Sequence, residues 1–271
     1  MKILPIIAFL LGASFSAAQD SAVKAKKEEA VTRDVRFLIA GTRPLPVFEM
    51  HGDQRIEVDP EIELIPPTAI ELVSGGEERE GAAKTPAKIT APTNMIAPLP
   101  ALKSVSKIKL KLSRLVFDSA PTQEIECDLG NKIRPLIVIS ASTDKRAWNA
   151  PQVTVIDLGG QVFPSRHAML VNLSPFPLKV GVDSSNKNVN AGQIAIFPLD
   201  PGDAPARYRV DAVGNNGSAT VANSAYRVDN NSRLIMVVIP DRHAQGNAPV
   251  SLRLLTDSVQ MKAAPDPDAP R

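Results

Sequence analysis

Apolar and polar positions alternate along much of this chain, and short apolar runs end in polar turns. Between residues 150 and 258 the pattern predicts strands at Val153–Asp157, Ala168–Leu173, Leu178–Asp183 and Gln193–Leu199. Further strands follow at Arg207–Val213, Ala219–Asn223, Leu234–Ile239 and Val250–Thr256. Leu178, Val180 and Val182 alternate with Lys179, Gly181 and Asp183, the pattern of a strand with one wet face. Leu234–Ile239 is apolar throughout, as expected of a central strand covered on both sides. The breaks "DSSNK", "NAG", "GNNG" and "DNNS" are rich in residues that tolerate positive φ or hydrogen-bond their own backbone.

The same steps occur earlier in the chain. "PLPVFEMHGDQRIEV" from Pro44 lies over "PLKVGVDSSNKNV" at an offset of 133 residues, which sets Val47 on Val180 and Ile56 on Val189. "NKIRPLIVIS" around Arg134 lies over "NNSRLIMVVI" around Arg233 at an offset of 99. "KIKLKL" from Lys107 lies over "RYRVDA" from Arg207 at an offset of 100, so Leu110 answers Val210 and Val138 answers Val237. The difference between 133 and 99 calls for 34 extra residues in the first copy. The charged, Gly-rich, then Ala- and Pro-rich stretch Ser74–Lys103 has the composition of such an exposed insertion.

Composition agrees with short strands and many turns: 271 residues contain 24 Pro against 15 Gly, and aromatics make up only 4%. With 31 basic and 29 acidic residues the formal charge is +2, so no global field points to nucleic acid. The N-terminus "MKILPIIAFLLGASFSAAQD" carries one basic residue, an apolar run from Ile3 to Leu11, and Ser16 and Ala18 at the −3 and −1 positions of a cut before Gln19. That is the template of a secretory signal, too short to span a bilayer, and no transmembrane segment is expected after cleavage.

The one cysteine, Cys127, excludes an internal disulfide and reads as a small buried hydrophobe. His51, His167 and His243 are scattered without metal-ligand spacing, so no metal and no cofactor is expected. Glu57, Asp59, Glu61 and Glu63 alternate in "EVDPEIEL" and read as a solvated face, and no catalytic residue is assigned. Two features could form an interaction surface. The row Lys107, Lys109 and Lys111 could meet an anionic partner, although strand lysines also discourage edge pairing. Trp148, the sole tryptophan, falls at the expected junction of the two copies and could pack between them or anchor a partner.

The segments "LVNLSPFPLKVGV" and "NAGQIAIFPL" resemble immunoglobulin-like β-sandwich modules of exported bacterial envelope proteins. The fold expectation is all-β, with two tandem immunoglobulin-like β-sandwich domains. Residues 1–18 are the expected signal peptide and 19–33 a flexible segment. Residues 34–146 form the first domain with 74–103 as its insertion, 151–258 the second, and 259–271 a disordered tail. The resemblance implies a non-enzymatic structural or binding role in the cell envelope, in the periplasm, at the surface or secreted, with another envelope protein or itself as partner. A glycan hydrolase with loop carboxylates is the competing expectation.

Overall fold

The computed structural model describes residues 32–74, 88–100, 102–103, 105–114, 121–142, 147–202, 204–241, 243–244 and 248–258. The expected signal peptide, most of segment 19–33, residues 75–87 of the expected insertion and the tail 259–271 lie outside them.

The described chain is all-β. Its first half runs through β1 (Thr32–Arg33), β2 (Arg36–Ala40), β3 (Val47–His51), β4 (Gln54–Val58) and a 3-10 turn at Ile62–Leu64. It continues with β5 (Ala69–Ser74), β6 (Lys88–Thr90), β7 (Ile96–Pro98), β8 (Leu102–Lys103), β9 (Lys107–Ser113), β10 (Gln123–Asp128), β11 (Pro135–Ser140) and β12 (Gln152–Asp157). The second half holds β13 (His167–Asn172), β14 (Leu178–Val182), β15 (Ser185–Val189) and β16 (Ile194–Pro198). It ends with β17 (Ala206–Gly214), β18 (Gly217–Tyr226), β19 (Ser232–Pro240) and β20 (Val250–Ser258).

Four sheets of four strands build the body. In the first half their orders are β10-β9-β5-β6 and β12-β11-β2-β7; in the second they are β15-β14-β17-β18 and β16-β13-β19-β20. Within each half the two sheets enclose a core. One holds Phe37, Ile39, Ile70, Leu110, Leu112 and Ile137; the other holds Leu170, Val180, Val210, Met236 and Val238. A third core joins the halves: Leu38, Leu136, Val138 and Ile156 pack with Met169, Val171, Ile235 and Val237. The two inner sheets therefore lie face to face, and the described body is a stack of four sheets.

This arrangement accounts for the apolar runs. β2, β11, β13 and β19 supply one side chain to their own core and the next to the seam, so burial is nearly continuous along them. β2 pairs with β11, and β13 with β19, in parallel, the pairing that tolerates cover on both faces. β9 and β17 belong to outer sheets, and their burial alternates with wet positions.

The halves share one strand order. Counting only the eight strands common to both, each half has sheets 4-1-7-8 and 3-2-5-6 with the first and seventh strands parallel. Val138 pairs with Leu38 where Val237 pairs with Val171, and Leu110 pairs with Leu72 where Val210 pairs with Val180. The expected matches of Leu110 with Val210 and Val138 with Val237 are thus equivalent positions. This order differs from a constant-type immunoglobulin sandwich. There the second and third strands lie in different sheets; here they form hairpins within one sheet, β5–β6 and β14–β15.

Several expectations need correction. Val47 does not answer Val180, whose counterpart is Leu72; among the described residues β3 and β4 pair only with each other and have no equivalent in the second half. Leu38 answers Val171 at an offset of 133, and Ile70 answers Leu178 at 108, so 25 extra residues lie between β2 and β5. The larger part of the insertion is therefore there and not within 74–103. In that stretch β6 and β7 complete the two sheets, and Ala91, Leu99 and Leu102 are buried. β12, placed by sequence at the start of the second domain, pairs with β11 of the first half. Thr32–Arg33 of the expected flexible segment pairs with β8, and Arg33 Nη1 donates to the Gly130 carbonyl at 2.7 Å.

One end of the seam carries a cluster of charges. Asp257, fully buried on β20, accepts from Arg233, from Arg36 at 2.7 Å and from Arg134 at 3.3 Å. Arg233 is also buried, lies over the Phe163 ring, and donates to the carbonyls of Leu158 and Phe163. Asp34 receives Arg36 at 3.1 Å and Arg134 at 3.0 Å. Partial burial alone would raise the Asp34 pKa; the two guanidiniums outweigh it and hold the carboxyl below its ordinary value.

Candidate functional site

At the other end of the seam the β3–β4 ribbon leaves the body. Pro44 and Pro46 precede it and Pro60 follows it, so the backbone at its base cannot extend the ladder into the neighbouring sheets. The two strands pair in register, Val47 with Val58, Glu49 with Ile56 and His51 with Gln54, across the two-residue turn Gly52-Asp53. Gly52 takes φ 65, the positive value that the first position of a type II′ turn needs.

The base is firmly held. Asn94 clamps Gly41 from both sides: its Oδ1 accepts the Gly41 amide at 3.1 Å, and its Nδ2 donates to the Gly41 carbonyl at 2.8 Å. On the return side, Arg114 Nε donates to the Ile65 carbonyl at 2.7 Å, and the Trp148 amide donates to the Glu63 carbonyl at 2.7 Å. Gly41 must be glycine because a Cβ there would stand 2.5 Å from the Trp148 ring.

Beyond this base the ribbon is open on both faces. Leu45, Val47, Phe48, Met50 and Ile56 are each between 44% and 65% exposed. Val47, Ile56 and Val58 share one face with Glu49; Phe48 and Met50 share the other with Arg55 and Glu57. The Arg55 guanidinium sits 4.2 Å from the Phe48 ring centroid, partly covering it. A two-stranded ribbon is marginal by itself in water, and here neither face nor edge is completed by another described strand. Between its root and the body, Leu45, Val47, Val58, Leu64 and His243 line a cavity of about 340 Å³ together with Glu49, Asp59 and Glu61. No protein-family model matches this chain, and no curated protein is significantly similar to it. The candidate site therefore rests on its own geometry.

The sequence-derived candidates lie elsewhere. Lys107, Lys109 and Lys111 do point outward from β9, but acids flank the row. Asp128 stands opposite Lys107, Glu126 opposite Lys109, and both Glu124 and Glu71 opposite Lys111. Lys107 Nζ is also 3.3 Å from Glu126. Crossing the sheet, Glu124, Lys111, Glu71 and Lys88 alternate in sign, so the row is locally neutralised and is not a free basic stripe.

Trp148 is buried in the first-half core and reaches neither the surface nor the middle of the seam. Glu57, Asp59, Glu61 and Glu63 do not form one strand face. Glu57 lies within β4 opposite Phe48, Asp59 and Glu61 lie in the ribbon's return, and Glu63 sits in the 3-10 turn and accepts from Asn149 at 3.2 Å. His51 lies 3.7 Å from Glu49 at the ribbon tip, and His167 Nδ1 lies 2.8 Å from the Ser165 carbonyl oxygen. Among the described residues no group of acids, His and Cys is placed to hold a metal ion, and no helix is long and apolar enough to cross a membrane.

Proposed function

We propose that this protein is an exported, non-enzymatic component of the bacterial cell envelope that acts by docking, with Val47–Val58 as its docking element. The carrying observation is the free ribbon: large apolar side chains exposed on both faces, unpaired edges, and a rigidly clamped base. A surface of that kind costs solubility and gives the body no core, which is the usual mark of an interaction site. The N-terminal apolar run from Ile3 to Leu11, followed by Ser16 and Ala18 ahead of Gln19, supports export with cleavage before Gln19, to the periplasm, the surface or the medium.

On this reading residues 34–157 and 167–258 are two sandwich modules derived by duplication, supported by their common strand order and paired equivalences. They share with immunoglobulin-like envelope modules the two-layer architecture, not the strand order. The test compares envelope proteins captured by the full chain with those captured by a chain whose Phe48–Glu57 is replaced by a two-residue turn. Loss of capture is expected; capture unchanged by the excision would remove the ribbon from the function.

A further inference from the structure

We infer that the occupant of the ribbon's β4 edge is a second copy of this chain, paired antiparallel through Gln54–Val58 about a two-fold axis at Ile56. The inference rests on the docking role just proposed and names the partner for one edge.

The hydrogen-bonding phase of the ribbon decides which groups are available. In a two-residue hairpin the closing pair, here His51 and Gln54, exchanges backbone hydrogen bonds, and the bonded pairs then alternate. Gln54, Ile56 and Val58 therefore turn their amides and carbonyls toward β3. Arg55 and Glu57 turn theirs to the open edge. A second β4 laid antiparallel with Ile56 opposite Ile56 brings Arg55 of each copy opposite Glu57 of the other. These are the residues whose backbone groups are free, so four new backbone hydrogen bonds form between the copies. The Ile56 pair falls in the non-bonded position, where cross-strand side chains approach most closely.

The side chains agree with that phase. Each Arg55–Glu57 pair joins opposite charges, and two-fold symmetry makes it twice, as an isologous contact requires. The Ile56 side chains meet on the opposite face, beside Val58. Asp53 and Asp59 would come next in line, and their like charges limit the pairing to five residues. The other edge does not offer this. The equivalent pairing through β3 would set Glu49 against Glu49 at the position of closest approach, where like charges repel. Of the two pairings centred on the middle residue of a strand, only the one through β4 is self-complementary. The product is a sheet in the order β3-β4-β4-β3 spanning two molecules, formed by strand addition.

Charge reversal tests this in sedimentation velocity over a wide range of loading concentration. The purified full chain is expected to show a dimer fraction that rises with concentration. Arg55→Glu and Glu57→Arg should each weaken dimerisation at least tenfold, because each sets like charges opposite one another twice. Mixing the two variants should restore a dimer, since one copy then presents two acids and the other two bases. The double variant Arg55→Glu/Glu57→Arg should dimerise with itself. Ile56→Cys should oxidise to a linked dimer whereas Arg55→Cys should not; the native Cys127 is buried and does not compete. All these positions are exposed, so folding is preserved, and unchanged circular dichroism checks it.

A wild-type chain that stays monomeric throughout overturns the inference. So does dimerisation unaffected by either reversal, or a mixture that fails to reassociate. If self-pairing fails while capture of another envelope protein still requires the ribbon, the docking role survives and only the identity of the partner falls. If both fail, the docking role falls with it.

Discussion

Asp257 carries its charge almost without solvent contact and answers it with three guanidiniums, two of which come from the other half of the molecule. Removing one member of such a buried set leaves the others uncompensated, which costs about 3–5 kcal/mol. Asp257→Asn, nearly isosteric, should therefore lower the unfolding free energy read from urea denaturation by that order, moving the midpoint without changing the slope. Cys127 gives a second residue-level expectation. Burial first, and the neighbouring Glu126 carboxylate second, push its thiol up to about 12. A raised acid favours its neutral form in the fold, so its contribution is complete below the ordinary thiol range and is lost as pH rises toward about 12. The folded chain should resist thiol reagents at neutral pH and react only on unfolding. Replacing Cys127 by Ala should flatten the alkaline loss of stability. Both residues differ in how they could be read from sequence. Cys127 shares a strand face with Ile125, which indicates burial, whereas nothing local to Asp257 announces partners more than a hundred residues away.

The ribbon can be removed at little cost to the rest. Val47 and Val58 are directly paired, so a two-residue turn in place of Phe48–Glu57 closes the gap without moving the base. The side chains removed are exposed, and the melting temperature should stay within about 2 °C of the parent, since surface changes usually amount to no more than about 0.5 kcal/mol. A larger fall would mean that the ribbon supports the core. Strands with apolar contrast were legible in sequence: the runs at β11 and β19, and the alternation at β9, β14 and β17. β15 was absorbed into a turn because its outward residues are polar and it lies at a sheet edge. β6 and β7 were hidden in Ala- and Pro-rich chain because three-residue edge strands need no sustained pattern. The ribbon reads as a hairpin from sequence, but its likeness to the stretch from Pro177 does not identify its counterpart. A proline entry followed by alternation describes many hairpins, and only the strand across the sheet decides which one is meant.

The four-sheet stack predicts that the molecule unfolds as one body. The third core is as apolar as the other two, and its charge cluster draws Arg36 and Arg134 of one half onto Asp257 of the other. Separated halves would each expose one whole inner face. Calorimetry of the intact chain should give a single transition with equal calorimetric and van't Hoff enthalpies, and two resolved transitions would show that the seam is weak. Residues 32–160 and 161–258 expressed apart should aggregate. The seam is also built from equivalent positions on its two sides, Leu38 with Val171, Leu136 with Ile235 and Val138 with Val237, as the contact in a symmetric pair of single modules would be. Two halves of like strand order in one chain can change independently, and among the described residues only the first carries a ribbon. The consequence is valence. Two ribbons per body would let each body make two such contacts, so that an assembly could keep growing. One ribbon that pairs through its β4 edge closes after a single contact, so assembly stops at a discrete particle.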